Sequence, residues 1–364
     1  MYEALLETLS FIPGLEDKTA PEVAVYAGLI LGVLFGAVAQ VTRFCFRRAV
    51  VSGPDQRQAA GVWLTALALA ILATQFAVMY DLISFDDHRF MVTDLPVAAI
   101  VLGGLMFGAG MVLTRGCVFR LTVLSGSGNL RALTELVVFA IVAHATLKGV
   151  LAPLRTALGS YTVPLESAAL PGAGPILAGL IAFAFLTVAA RSGARPSHLI
   201  GGAVIGLLAA AGWVTTGYVL YDDFDPVALE SLSFTLPASE TLFWTIASSS
   251  ISATFGTGLL GGVLAGAAVA ALNRREFTWQ SFDSPAQTGR YLSGGALMGV
   301  GGVLAGGCTL GAGLSGVPTL SVAAVLAILA IAAGGALTDR LLRVSASSSG
   351  SAGSSTKPAL QPAE

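Results

Sequence analysis

GGLMFGAGMVLTRGCVFR, residues 103–120, decides the reading of this chain because it recurs. Cys45 and Cys117 stand in one frame, G-x-x-F-G-A-x-x-x-x-T-R-x-C-x-x-R, which spans residues 32–48 and again 104–120. A third copy, GGALMGVGGVLAGGC at 294–308, repeats the glycines of positions 103, 104, 108, 110 and 116 as Gly294, Gly295, Gly299, Gly301 and Gly307, and ends in Cys308. Every cysteine of the chain therefore closes one of these units. A fainter fourth copy, residues 201–215, keeps glycines at matching offsets and has Thr215 where the cysteine would fall. An internal repeat governs the architecture, so it is read before any single element.

The setting of the repeat is a membrane. Hydrophobic residues make up 55% of the 364 residues, charged residues 11%, and the mean hydropathy is +0.80, which the surface of a water-soluble domain does not tolerate. The apolar stretches approach the roughly 20 residues of a helical crossing and lack the alternation of barrel strands, so the fold class is all-α and polytopic. The 44 glycines point to helices packed backbone to backbone in the interior. A net charge of -2 without a basic stripe excludes nucleic-acid binding. No H-x-E, C-x-x-C or H-x-x-x-H pattern supports a metal site, and no cofactor is expected. Glu3 and Glu7 at the start do not fit a cleavable signal peptide, which opens basic.

The hydropathy pattern predicts about nine crossings, at 22–42, 60–80, 96–114, 132–152, 174–190, 198–220, 254–272, 291–308 and 318–338. With the N-terminus outside, nearly all the arginines fall inside, among them Arg43, Arg47, Arg48, Arg115, Arg120, Arg290 and Arg340, while Lys18, Arg89, Lys148 and Arg155 stay outside. That asymmetry predicts a multi-pass protein of the cell inner membrane with a periplasmic N-terminus and a cytoplasmic C-terminus. The outer loops 81–94 and 221–240 are acidic, with Phe85, Tyr218 and Tyr221 read as interfacial anchors, and the short apolar stretch 242–251 lies along the interface or dips into it. Residues 1–344 form the transmembrane domain, and the serine-rich 345–364 reads as a disordered cytoplasmic tail.

Counting crossings between copies sets their symmetry. The units ending at Cys45 and Cys117 run outside to inside, those ending at Thr215 and Cys308 the other way, so halves 22–165 and 170–340 form an inverted repeat of the kind many transporters use. A helix over 294–307 rises about 20 Å, less than the ~30 Å hydrocarbon thickness, which puts the cysteine inside the membrane. Gly307 before Cys308, with Thr309, Gly311 and Gly313 after it, can break the helix and turn backbone N–H groups toward an anion. At the equivalent turn, Gly116 adjoins Cys117, and Thr114, Arg115 and Arg120 are candidate hydroxyl and guanidinium donors. Irregular backbone at membrane depth either lines a cavity or is buried in protein. A neutral thiol is a weak, polarizable donor suited to the terminal sulfur of a sulfur oxyanion, and weak contacts in series hold a cargo loosely. The competing reading of one cysteine is a small buried apolar side chain; recurrence at the same break favours the pathway. A structural disulfide is disfavoured by the odd count and the opposite depths.

Other ionisable residues have plainer readings. Glu135 sits at the inner interface, Lys148 snorkels to the outer one, and His144 is left as the open question of that helix. His88 and His198 read as loop and interface residues, Gln40 and Gln75 as packing hydrogen bonds.

The two T-R-x-C units, the run LAGGCTLGAGLSG at 304–316 and the GG…TTG segment at 201–217 resemble the YeeE/YedE family of bacterial sulfur transporters over about residues 25–340. The resemblance implies an hourglass-shaped helical protein that imports thiosulfate, passing it along three cysteines by S–H to sulfur hydrogen bonds. Carried over by motif, these are Cys308 toward the periplasm, Cys117 near the middle and Cys45 toward the cytoplasm. It also implies a small TusA-type sulfur-carrier protein as a partner in the cytoplasm, in addition to the thiosulfate ion and membrane lipid. Such a protein is not an enzyme. The alternatives are a transporter of another sulfur or selenium species, or a membrane sulfurtransferase carrying persulfide on Cys117.

Overall fold

The computed structural model describes residues 18–350 apart from Asp223, so Glu3, Glu7 and residues 351–364 lie outside the described part. The helices in chain order are α1 Ala20–Thr42, α2 Phe46–Val50, α3 Gln56–Met79, α4 Val97–Leu113, α5 Val118–Gly126, α6 Leu130–Lys148, α7 Ala152–Gly159, α8 Pro175–Ala190, α9 Pro196–Val214, α10 Thr235–Ala247, α11 Phe255–Asn273, α12 Pro285–Leu304 and α13 Val322–Gly350. Starts are set by local chemistry. Thr19 and Glu22 form a capping box on α1, Asn129 Oδ1 accepts from Ala132 N at 2.9 Å to start α6, and Ser284 with Pro285 opens α12. That Ser-Pro start begins α12 six residues before the hydropathy of the sequence rises.

Among the described residues, eight helices are long and apolar enough to cross a membrane. The remaining predicted crossing, 174–190, is α8, which has only 16 residues. The chain is a helical, multi-pass membrane protein. Among the described residues the strands are one two-residue pair, β1 Asp94–Leu95 with β2 Val163–Pro164, which pins two acidic-end loops together. α13 continues to Gly350, six residues into the stretch read as tail. The stretch 242–251 is the partly exposed end of α10, which stops at Ala247, and the turn after it; the first turn of α10, with Thr235, Pro237, Ala238 and Ser239, is buried.

Glycine seams hold the helices together in pairs. Gly28, Gly32 and Gly36 of α1 meet the carbonyls of Phe255, Leu259 and Val263 in α11, while Gly258, Gly262 and Gly266 of α11 meet those of Val25, Leu29 and Val33. The partners ascend together, so the two helices are parallel, and a β-carbon at any of the six positions would collide with backbone. α9 lies parallel on α3 through Gly202 against Val62 and Gly206 against Ala66; α13 on α4 through Gly104 against Ala330 and Gly108 against Ile331; α12 on α6 through Gly295 against Glu135 and Gly299 against Phe139. α4 and α12 cross antiparallel, Gly103 on Gly301 and Gly110 on Gly294. Exchanging α1 with α9, α3 with α11, α4 with α12 and α6 with α13 turns each of these pairs into another member of the set, or into itself. A two-fold axis between inverted halves requires that pattern. Around this interior the perimeter is apolar, with Ile30, Phe76, Ile176, Phe183 and Leu329 exposed as lipid contacts would need.

Candidate functional site

The three cysteine units share one backbone device. Arg43 (φ 52°), Arg115 (φ 61°) and Gly306 (φ 73°) adopt the left-handed conformation, each two residues before its cysteine. This ends the helix, and the chain turns. Cys45, Cys117 and Cys308 are then extended and stand immediately before a new helical piece: α2, α5 and the π-helical turn Thr309–Gly316. A non-glycine residue in this region is uncommon, so two arginines holding it at equivalent points mark a feature of the repeat rather than an accident. The fourth copy lacks the break. Trp213, Val214 and Thr215 are bulky or β-branched and disfavour a left-handed residue; Thr215 stays right-handed and the helix only loosens into the π-helical turn Thr215–Val219.

Thr114 is not a free donor, contrary to the sequence reading. Its hydroxyl donates to Gly110 O at 2.9 Å or Gly116 O at 2.7 Å, and the equivalent Thr42 donates to Val38 O at 2.7 Å. The threonine of T-R-x-C braces the turn. Gly116 packs against Arg120, and Gly307 lies so close to Ala312 N that a side chain would touch it at 2.9 Å. Arg115 is exposed at the arginine-rich end.

The cysteines themselves are brought into one core. Cys117 and Cys308 are fully buried, Cys45 is 6% exposed, and all are free thiols. Cys117 lies within electrostatic reach of both Cys45 and Cys308 and next to the Thr309 hydroxyl and the backbone of Arg120. Arg47 neighbours Cys45, and Arg120 neighbours both Cys45 and Cys117; Arg120 Nη1 is buried without a protein partner. Beyond Cys308 comes Arg89. An arginine thus stands near each thiol: Arg89 near Cys308, Arg120 near Cys117 and Cys45, and Arg47 near Cys45. Cys308 Sγ accepts a hydrogen bond from Gly311 N at 3.3 Å, which leaves its own S–H to donate elsewhere. Aromatic rings fill the space around the thiols: Phe35, Phe119 and Phe234 form a triangle with centroids 5.9, 6.0 and 6.3 Å apart, and Phe44 stacks on Trp63 at 5.0 Å. The site is thus closed. A surface groove of about 460 Å³ beside Val97, Leu102 and Tyr161 contains none of these residues.

Several side chains sit elsewhere than the sequence suggested. Glu135, near the start of α6, is fully buried because α12 covers its helix; Arg131 Nε is 3.9 Å away. His144 Nδ1 pairs with Ser239 Oγ at 2.9 Å and its ring stacks on Phe243, which ties α6 to α10. Phe85 turns inward against Trp213 instead of anchoring at an interface. His88 is packed between Phe85, Phe90 and Trp213, and burial lowers its pKa to about 4. Gln40 bonds Glu276 at 3.3 Å and Gln75 bonds Pro318 O at 2.7 Å, both packing contacts as read. The sequence marks Arg89 only as an outer loop residue; a lone arginine in an acidic loop carries no signal that it lies near Cys308 and Glu230.

At the acidic end, burial and the neighbouring Glu240 raise Glu230 to about 7, against the pull of Arg89. The folded protein therefore holds a proton on Glu230 that the unfolded chain releases above its ordinary carboxylate range. The stability this confers is complete at low pH and lost as pH rises through about 7. Glu230→Gln should melt with the parent at about pH 4 and above it from about pH 8; melting curves that stay superimposed across this range would refute the assignment.

The family model described as sulphur transport matches residues 41–337, a span that contains all three cysteine breaks. Among curated relatives, the thiosulfate transporter TsuA of Spirochaeta thermophila is 28% identical over 329 residues, covering 83% of this chain and 94% of that one. The thiosulfate transporter TsuA of Escherichia coli is 26% identical over 322 residues, covering 80% and 86%. With its membrane core matched nearly end to end, the chain belongs to the sulphur transport (YeeE/YedE) family.

Proposed function

We propose that the chain imports thiosulfate across the inner membrane, handing it from Cys308 to Cys117 to Cys45, with the arginine-rich end in the cytoplasm. The observation that supports this reading most is the same left-handed turn two residues ahead of each of three buried thiols. It agrees with the substrate named for both relatives. Each thiol donates S–H to the soft terminal sulfur. No bond within the anion changes, so the protein is a carrier of the ion and not an enzyme. Thiols are weak donors, and successive weak sites let the cargo leave as readily as it enters. The aromatic rings around them exclude water and other ions until the anion displaces them. At the cytoplasmic end Arg47 and Arg120 offer the anion a charged exit, where a separate TusA-type carrier would collect it.

Expression in cells that lack other thiosulfate routes tests the reading. Growth and uptake on thiosulfate are expected, with competition by a selenium analogue and none by sulfate. Absence of uptake from protein that reaches the membrane would refute it, and a persulfide trapped on Cys117 by mass spectrometry would favour the sulfurtransferase alternative.

A further inference from the structure

Residues 230–235 run into the core rather than over it. Glu230 N donates to Thr216 Oγ1 at 3.1 Å, Ser231 Oγ donates to Ala209 O at 2.5 Å, Ser315 Oγ donates to Leu232 O at 2.9 Å, and the ring of Phe234 packs on Phe35 and Phe119. The segment ends beside the turn that carries Cys308. A β-carbon on Gly311 would lie 2.8 Å from Ser233 Oγ, and one on Gly302, on the helix that leads to Cys308, 3.1 Å from Thr235 Oγ1. Gly311 is also the residue whose N–H binds Cys308 Sγ.

Two buried hydroxyls on these meeting segments, those of Ser233 and Thr235, have no hydrogen-bond partner, and the Thr309 hydroxyl beside them faces Cys117. Thr235 is 5% exposed and Thr309 fully buried. Their neighbours show that the fold can satisfy hydroxyls here: besides Ser231 and Ser315, Thr216 reaches Glu230 O, Ser239 reaches His144, and Thr319 reaches Gly316 O. A buried hydroxyl left unpaired destabilises a protein, so hydroxyls orphaned next to a candidate substrate thiol need a partner from outside the chain.

We propose that Ser233 and Thr235 are the donors for the oxygen end of the anion held at Cys308. The thiol then meets the soft terminal sulfur while neutral hydroxyls meet the hard sulfonate oxygens, a division of labour that rejects sulfate at one end and hydrosulfide at the other. The glycines at 302 and 311 leave the two hydroxyls uncovered for this purpose. This inference rests on the thiosulfate reading above and adds two binding residues to it.

The test is calorimetric titration of the purified full chain with thiosulfate, together with the melting temperature of the ligand-free protein, for the parent, Ser233→Ala and Thr235→Val. Each variant is expected to bind thiosulfate about tenfold more weakly, the effect of one hydrogen bond to a charged group. Each should melt at or above the parent temperature, because an unsatisfied hydroxyl has been removed. Parent-like affinity in both variants overturns the proposal, as does weaker binding accompanied by a lower melting temperature, which would make the hydroxyls structural. A parent protein that binds no thiosulfate would instead overturn the transport reading beneath it.

Discussion

Cys117→Ala is expected to lower thiosulfate uptake by about a hundredfold or more, and Cys117→Ser to keep a measurable part of it. Cys117 is the middle of three thiols, fully buried, with Phe119 two residues on and the Phe35 and Phe234 rings packed around that phenylalanine. Without it an anion passing from Cys308 to Cys45 loses its only thiol donor between them, and an unpaired anion in an apolar core is costly. Raising that step by about 3 kcal/mol slows it about a hundredfold. Serine restores an O–H donor of similar size, though a hard one. Loss of the sulfur atom from the core costs about 1 kcal/mol or less of stability, so the alanine protein should still fold. Uptake normalised to membrane-inserted protein checks this, and parent-level transport by the alanine variant would end the relay account.

The second large effect concerns assembly. Gly262→Val should prevent the protein from folding to a monodisperse species, whereas Gly261→Val, one residue earlier on α11, should be nearly neutral. A β-carbon at 262 would fall on the carbonyl oxygen of Leu29, and no rotamer of the partner can relieve a clash with backbone; at 261 nothing lies within 4 Å. Overpacking costs about 1–3 kcal/mol where side chains can yield, and more here, since two helices must separate along a seam of six glycines. Size-exclusion profiles of the solubilised variants decide it. Equal behaviour of the two substitutions would mean that α1 and α11 are not packed as described.

Both effects trace to features of unequal legibility. Glycine spacing, the recurrence of Cys45, Cys117 and Cys308 and the length of the apolar runs are visible because period and composition survive in a string of letters. The left-handed state of Arg43 and Arg115 is not visible, since arginine gives no propensity for it and only the turn in three dimensions demands it. Thr114 looked like a donor to substrate because a side chain's hydrogen-bond choice among nearby carbonyls depends on the turn it braces. Residues 230–235 read from sequence only as part of the acidic outer loop 221–240, for the opposite reason. Serine, threonine and glutamate lower local hydropathy, and burial of that segment depends on partners at Ala209, Thr216 and Ser315 that are distant in sequence. The burial of Glu135 is hidden in the same way, since the helix that covers it begins only at Pro285.

The central claim is that one passage runs through all three thiols. Its most direct test is a structure of the chain loaded with selenosulfate, the selenium located by its anomalous signal. The account predicts selenium peaks inside the core, on the line from Cys308 through Cys117 to Cys45, each within hydrogen-bonding distance of a cysteine Sγ. Peaks confined to other parts of the molecule, with none beside any of the three sulfurs, would contradict it.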